Sequence, residues 1–180
     1  VADGRQLLWT SERDNWNHLY LYDVASGKLV RQVTRGEWPV RSVQYVDEAK
    51  GVVYFSASGM NKDEDPYLVH YYKIGLDGKN LTCLTPENAN HRAVYSSDYR
   101  YLVDTYSRVD LAPVTVLRSG EDGRLLKTLE TADISRLTAN GWVAPEVFKA
   151  KGRDGKTDMW GIIQRPTNFD PSRKYPVIEY

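Results

Sequence analysis

The chain has 180 residues, 41% apolar and 27% charged, which suits a single soluble globular domain and excludes a disordered or low-complexity segment. Lys plus Arg and Asp plus Glu are equal at 24 each, so no net field draws in nucleic acid or anionic lipid, and no basic run makes a local exception. Apolar stretches are a few residues long, far below the ~20 that cross a bilayer, and Cys83, the single cysteine, excludes an intrachain disulfide and a cysteine-built metal site.

The start at Val1 has no signal-peptide character and reads as a cut inside a longer protein. Asp3-Gly-Arg5 is a turn signal, and Leu7 to Ser11 behind it is a short aromatic and β-branched strand. Glu12, Arg13 and Asp14 with Trp16 make a charged, aromatic loop. It reads as a solvated turn with local ion pairs, the alternative being a loop that faces a cavity. His18 to Tyr22 partly alternates apolar and polar as on a half-buried strand, and the turn Ala25-Ser-Gly27 folds it onto Gly27 to Thr34. Val40 to Tyr45 supplies a further strand.

The set then recurs. Val53 to Ala57, His70 to Ile74, the turn Leu76-Asp-Gly78, the phrase Gly78 to Thr85 and the strand Arg92 to Tyr95 follow in the same order. Tyr101 to Thr105, Pro113 to Leu117, the turn Asp122-Gly123 and the phrase Gly123 to Glu130 begin a third round. Gly78 follows Gly27 by 51 positions and Gly123 follows Gly78 by 45, close to the ~40–50 residues of a propeller blade. Asp98-Tyr-Arg100 repeats Asp3-Gly-Arg5 at 95 positions, or two blades.

The expected fold is all-β: a partial β-propeller of two to three four-stranded antiparallel blades, followed by a short hairpin and a strand. Leu7 to Ser11, Val53 to Ala57 and Tyr101 to Thr105 are expected as inner strands. A β-sandwich, the alternative, would not need turns and phrases to recur together. Whole propellers need ~4–8 blades, so the chain is expected to be a piece of one.

After Glu130 the pattern stops. Thr131 to Thr138 is expected as a short helix, with Thr131 or Asp133 near its N-cap and Asn140-Gly141 ending it. Pro145 to Ala150 and Asp158 to Gln164 read as two strands joined by the Gly-rich and charged turn Lys151 to Lys156. A Pro-bounded loop, Arg165 to Pro171, leads to a last expected strand, Tyr175 to Tyr180. The organisation is thus blades over 1–130, a connector over 131–141 and the start of a second domain over 142–180.

Trp160 to Pro166, Asn168 to Pro171 and Lys174 to Ile178 resemble the entry into the α/β-hydrolase domain of the prolyl oligopeptidase family. Leu8 to Asp14, Trp16 to Tyr20, Tyr54 to Ser58 and Asp104 to Arg108 are similar to the propeller of its dipeptidyl peptidase IV branch, especially bacterial members, so the resemblance covers nearly all of the chain. It implies a propeller fragment of a serine exopeptidase that releases N-terminal dipeptides with Pro or Ala at the second position. The blades would gate and orient a peptide substrate, in a bacterial periplasm or cell envelope.

In that family the nucleophile lies on a Gly-x-Ser-x-Gly elbow, followed by Asp and His. No such elbow occurs in this sequence. The family's oxyanion-hole Tyr and the Glu pair that holds the substrate's amino terminus likewise match no position. No catalytic, cofactor-binding or metal residue is therefore assigned, no cofactor is expected, and the chain alone is expected to be inactive. A non-enzymatic propeller that binds protein partners is the alternative function. Exposed faces of the end blades are expected to promote self-association.

Among the remaining residues, His18, His70 and His91 read as repeat features rather than a metal trio. The acidic stretch Met60 to Pro66 lacks the ligand alternation and central Gly of a calcium loop and reads as surface. The thirteen Tyr and five Trp suit strand packing, and no Arg interleaves them as on a single-strand nucleic-acid platform.

Overall fold

The computed structural model describes residues 1–179 and divides into two compact units, one of Val1–Arg108 with Pro113–Thr131, the other of Val109–Ala112 with the chain from Ala132 onward. The first unit contains three antiparallel sheets in chain order. β1 (Gln6–Ser11), β2 (His18–Asp23) and β3 (Leu29–Gln32) make a three-stranded sheet. β4 (Val40–Asp47), β5 (Val52–Ser58), β6 (Val69–Gly75) and β7 (Thr82–Cys83) make the second. β8 (Asn90–Tyr95), β9 (Tyr101–Arg108), β10 (Leu111–Ser119) and β11 (Leu125–Thr131) make the third. Each sheet is a meander in sequence order, as in the blades of a propeller.

The recurring phrase is the third strand of the first sheet and the last strand of the other two. Tyr20 pairs with Gln32, Tyr72 with Cys83 and Val116 with Thr128. Its opening glycine is dictated by the backbone: Gly27, Gly78 and Gly123 have φ of +65°, +78° and +74°, a region that side chains with a Cβ resist.

Sheet order corrects one expectation. An innermost strand must be a sheet edge, yet Val53 to Ala57 and Tyr101 to Thr105 lie on β5 and β9, second in their sheets, and the edges belong to β4 and β8. The burial explains the misreading. β5 is covered on both faces and therefore carries the strongest apolar signal, whereas β4 and β8 expose half of their residues and carry a weak one.

β5 shows how the sheets stack. Val53, Phe55 and Ala57 project to one side, into a core with Leu19, Leu21, Val33, Trp38 and Val40. Tyr54 projects to the other, into a core with Leu84 and Leu102, where Tyr95 and Tyr99 pack against it. The period-2 alternation of side chains thus makes one strand serve two cores. Aromatic contacts line both: Trp38 stacks on Phe55 at 6.2 Å, and Tyr99 lies 5.1 Å from Tyr54 and stacks on Tyr45 at 4.2 Å.

The second unit holds α1 (Ser135–Ala139) and a hairpin of β12 (Glu146–Lys151) and β13 (Asp158–Ile163), in register from Glu146 with Ile163 to Lys151 with Asp158. The helix starts later than expected, and its N-cap is Ile134, which has no side chain to cap it. Asp133 acts one step earlier, accepting the Ser135 N–H at 2.8 Å. Asn140 closes the helix, and Gly141 takes φ +83°. Over 175–179, where a last strand is expected, there is no strand pairing, and Val177 and Ile178 are 88% and 95% exposed. Pro176 contributes no N–H there, and Tyr180 lies outside the described residues. Among the described residues no helix is long and apolar enough to cross a membrane.

Candidate functional site

The three histidines are all buried, but they are not alike. His18, at the start of β2, bonds through its two ring nitrogens to the Thr34 hydroxyl and the Gly36 carbonyl and sets its ring edge-on to Trp38 at 4.9 Å. His70, at the matching position on β6, bonds to the Thr85 carbonyl and to Glu64. His91 on β8 bonds to Asp104 and to the Glu87 carbonyl. His70 and His91, 21 positions apart in sequence, are brought to 4.9 Å between ring centroids.

Around His91 lies a buried ionic cluster absent from the sequence-based expectations. Arg118 on β10 is 1% exposed; its Nε donates to Asp104 on β9 at 2.9 Å and its Nη2 to Glu87. Burial works against the guanidinium charge, but its hydrogen bonds to Glu87 and Asp104 outweigh it and hold Arg118 above its ordinary value. Its Nη1 also donates to the Gly123 carbonyl at 3.3 Å. The cluster thereby ties β8, β9, β10 and the loop after β7 together.

Glu87, His91 and Asp104 offer atoms within 4.8 Å of one another, a spacing that also suits a metal ion. Arg118 places a positive charge there and bonds both carboxylates, while His91 bonds to Asp104 and to the Glu87 carbonyl. Bonded in this way, the group is an ion-pair array. One signal in the sequence points to it: Asp104 and Arg118 each interrupt an apolar strand run.

The loop of Glu12 to Asp14 is exposed, as expected, but its contacts differ from local ion pairs. The Arg13 guanidinium lies 4.3 Å over the Tyr20 ring and donates to the Tyr22 hydroxyl, and Asp14 accepts from Gln32 at 2.8 Å. Arg13 and Tyr22, with Leu7, Trp9 and Val24, line a groove of about 420 Å³ on the first sheet. The acidic stretch Met60 to Pro66 also turns partly inward: Glu64 reaches His70 at 3.0 Å and accepts from Asn61 at 3.0 Å. A second groove of about 610 Å³, lined by Lys50, Tyr99, Arg100, Glu121 and Arg124 among others, mixes charges of both signs.

The geometry is that of a packed scaffold with buried polar ties. Residues 1–113 match the family described as the dipeptidyl peptidase IV (DPP IV) N-terminal region. The chain is 32% identical over 174 residues to dipeptidyl peptidase 4 of Trichophyton rubrum, covering 93% of this chain and 21% of that protein, and 30% identical over 174 residues to dipeptidyl peptidase 4 of Arthroderma otae, with the same shares. Among solved structures it is similar to Porphyromonas gingivalis dipeptidyl peptidase 4, with a TM-score of 0.75 and 29% identity, covering 95% of this chain and 24% of that one. The chain therefore spans about a fifth of the length of the curated relatives it matches. With the family match running from β1 into β10 across all three sheets, this chain belongs to the family of the dipeptidyl peptidase IV N-terminal region.

Proposed function

We propose that the chain is the propeller portion of a serine exopeptidase that releases N-terminal dipeptides with Pro or Ala at the second position, and that its blades gate and orient the peptide. The observation that carries this reading is the match to dipeptidyl peptidase 4 of Trichophyton rubrum over 93% of the chain. The nucleophile, base and oxyanion hole are assigned to residues outside this chain, which has no Gly-x-Ser-x-Gly elbow. The blades' contribution is to restrict access and align the substrate, which raises selectivity without breaking bonds. The likeness to the Porphyromonas gingivalis protein supports a bacterial source, and the proposed place in the periplasm or cell envelope is to be tested by fractionating the source cells.

The experiment compares the full-length gene product with the 180-residue chain, using Gly-Pro and Gly-Ala chromogenic substrates and a fluorophosphonate probe. Turnover and Ser labelling are expected in the full-length product and not in the chain. An inert full-length product, or covalent labelling of a Ser within the chain, overturns the reading.

A further inference from the structure

Six ionisable side chains lie along the seam between the second and third sheets: Glu64 before β6, His70 on β6, Glu87 before β8, His91 on β8, Asp104 on β9 and Arg118 on β10. Both histidine residues are 3% exposed. Their partners fix how many protons they carry. His70 Nδ1 is 2.7 Å from the Thr85 carbonyl oxygen and its Nε2 is 3.0 Å from Glu64 Oε2. His91 Nε2 is 2.8 Å from the Glu87 carbonyl oxygen and its Nδ1 is 2.9 and 3.1 Å from the two Asp104 oxygens. A carbonyl oxygen and an ionised carboxylate only accept. Each carboxylate accepts a further hydrogen bond, Glu64 from Asn61 Nδ2 at 3.0 Å and Asp104 from Arg118 Nε at 2.9 Å, contacts that favour its ionised form.

Each ring therefore faces acceptors on both sides. A neutral imidazole would leave a bare nitrogen lone pair against a buried oxygen at each, an arrangement that buried polar groups avoid. His18 shows the contrast. Its Nε2 faces the Gly36 carbonyl at 2.9 Å, but its Nδ1 faces the Thr34 hydroxyl at 3.0 Å, which can donate to it while accepting the Leu19 N–H at 2.9 Å. A neutral ring satisfies every atom there.

We propose that His70 and His91 are both doubly protonated in the folded chain, and that these imidazolium rings with Glu64, Glu87, Asp104 and Arg118 form a proton-dependent fastener between the second and third sheets. The charges balance, three positive and three negative, which lets two cationic rings sit 4.9 Å apart. The other titratable groups facing them are phenols and a thiol: Tyr72 on β6, 6.3 Å from His70, Tyr106 on β9, 5.3 Å from His91, and Cys83 on β7 beside Tyr72. Burial pushes Tyr72, Tyr106 and Cys83 up, so they stay neutral and leave the balance to the six. Loss of the two ring protons at alkaline pH leaves an excess of two buried negative charges and two unmatched acceptors, and the β6 to β8 seam loosens. The inference does not depend on the peptidase reading.

Nitrogen NMR of the ring atoms in the 180-residue chain at pH 7.5 tests it. Both nitrogens of His70 and of His91 are expected at protonated shifts, and His18 at the split pair of a neutral ring. A split pair at His70 or His91 overturns the proposal. The second measurement is urea unfolding against pH. The unfolded chain releases these protons near pH ~6.5, so above that the folded chain holds more protons than the unfolded one. The folding constant should then fall about tenfold per pH unit for each proton retained. Glu64→Gln, whose amide can donate to a bare His70 Nε2, should remove one proton from this slope, and His18→Gln should leave it unchanged. A wild-type folding constant that does not fall with pH above that point, or a Glu64→Gln slope equal to wild type, overturns the fastener.

Discussion

Gly123 rests on the backbone of Leu84: a Cβ at Gly123 would lie 2.6 Å from the Leu84 Cα and 2.7 Å from its carbonyl oxygen. Gly78 has the equivalent seat one sheet earlier, where a Cβ would lie 3.2 Å from the Val33 carbonyl oxygen. Val33 and Leu84 each stand six positions after the glycine that opens their own phrase, so the same contact is made twice.

Gly123→Ala combines a side chain in the left-handed region with a backbone collision, for an expected loss of about 2–5 kcal/mol. Gly27→Ala has the same backbone conformation but meets nothing within 4 Å, so the strain alone, about 1–2 kcal/mol, is expected. Urea unfolding of the two variants separates packing from conformation, and equal losses would refute the role of the Leu84 contact.

Arg118→Met strips the cation from Asp104, which is fully buried, and from the half-exposed Glu87. Breaking such a pair by removing one partner costs about 3–5 kcal/mol. Chemical unfolding should show that loss, whereas Arg124→Met at an exposed pair 3.8 Å from Asp122 should change stability by less than about 1 kcal/mol.

The Tyr95 hydroxyl is buried with no hydrogen-bond partner among the described residues, and burial pushes its phenol up. Tyr95→Phe removes that unmatched group while keeping the ring on Tyr54 and Tyr99. Stability should hold or rise by about 1 kcal/mol, and a fall larger than this in thermal unfolding would show that the hydroxyl does have a partner.

In the hairpin turn of the second unit, Asp154 accepts from the Thr157 hydroxyl and from the N–H groups of Lys156 and Thr157, which holds its carboxyl down to about 2 from 3.8. A carboxyl depressed on folding stabilises the turn above its unfolded value and loses that contribution as pH falls through the folded one. Amide exchange at Lys156 and Thr157 should accelerate between pH 4 and pH 2. In Asp154→Ala it should already be fast at pH 5 and show no such step.

Leu7, Trp9 and Val24 are 47%, 57% and 56% exposed along one groove of the first sheet. Self-association through this face is expected to weaken in Trp9→Ser, seen as a lower mean mass in light scattering at equal concentration. A monomeric wild-type chain, or an unchanged mass in the variant, would refute self-association through this face.

The strands and their rhythm were legible in the sequence because they are local properties: apolar alternation on His70, Tyr72 and Ile74, and glycines where the turn needs positive φ. Sheet order was not. β4 and β8 expose half of their residues and bury one each, so they carry little pattern, although they form the edges. The cluster of Asp104 and Arg118 was visible only as charges inside apolar runs, since their pairing depends on strand neighbours 14 positions apart. The meeting of His70 with His91 depends on how one sheet lies on the next, which no single repeat encodes.

The seated glycine has a consequence for how such chains grow. The second sheet carries both halves of the joint: Gly78, which fits the sheet before it, and Leu84, which receives the turn of the sheet after. A tandem duplication of that gene segment would therefore yield two copies already shaped for each other, the new Gly meeting the old Leu with no further mutation. Insertions in the loop of residues 59–68 add length away from Gly78 and Leu84, so blade length can drift while this glycine joint is inherited.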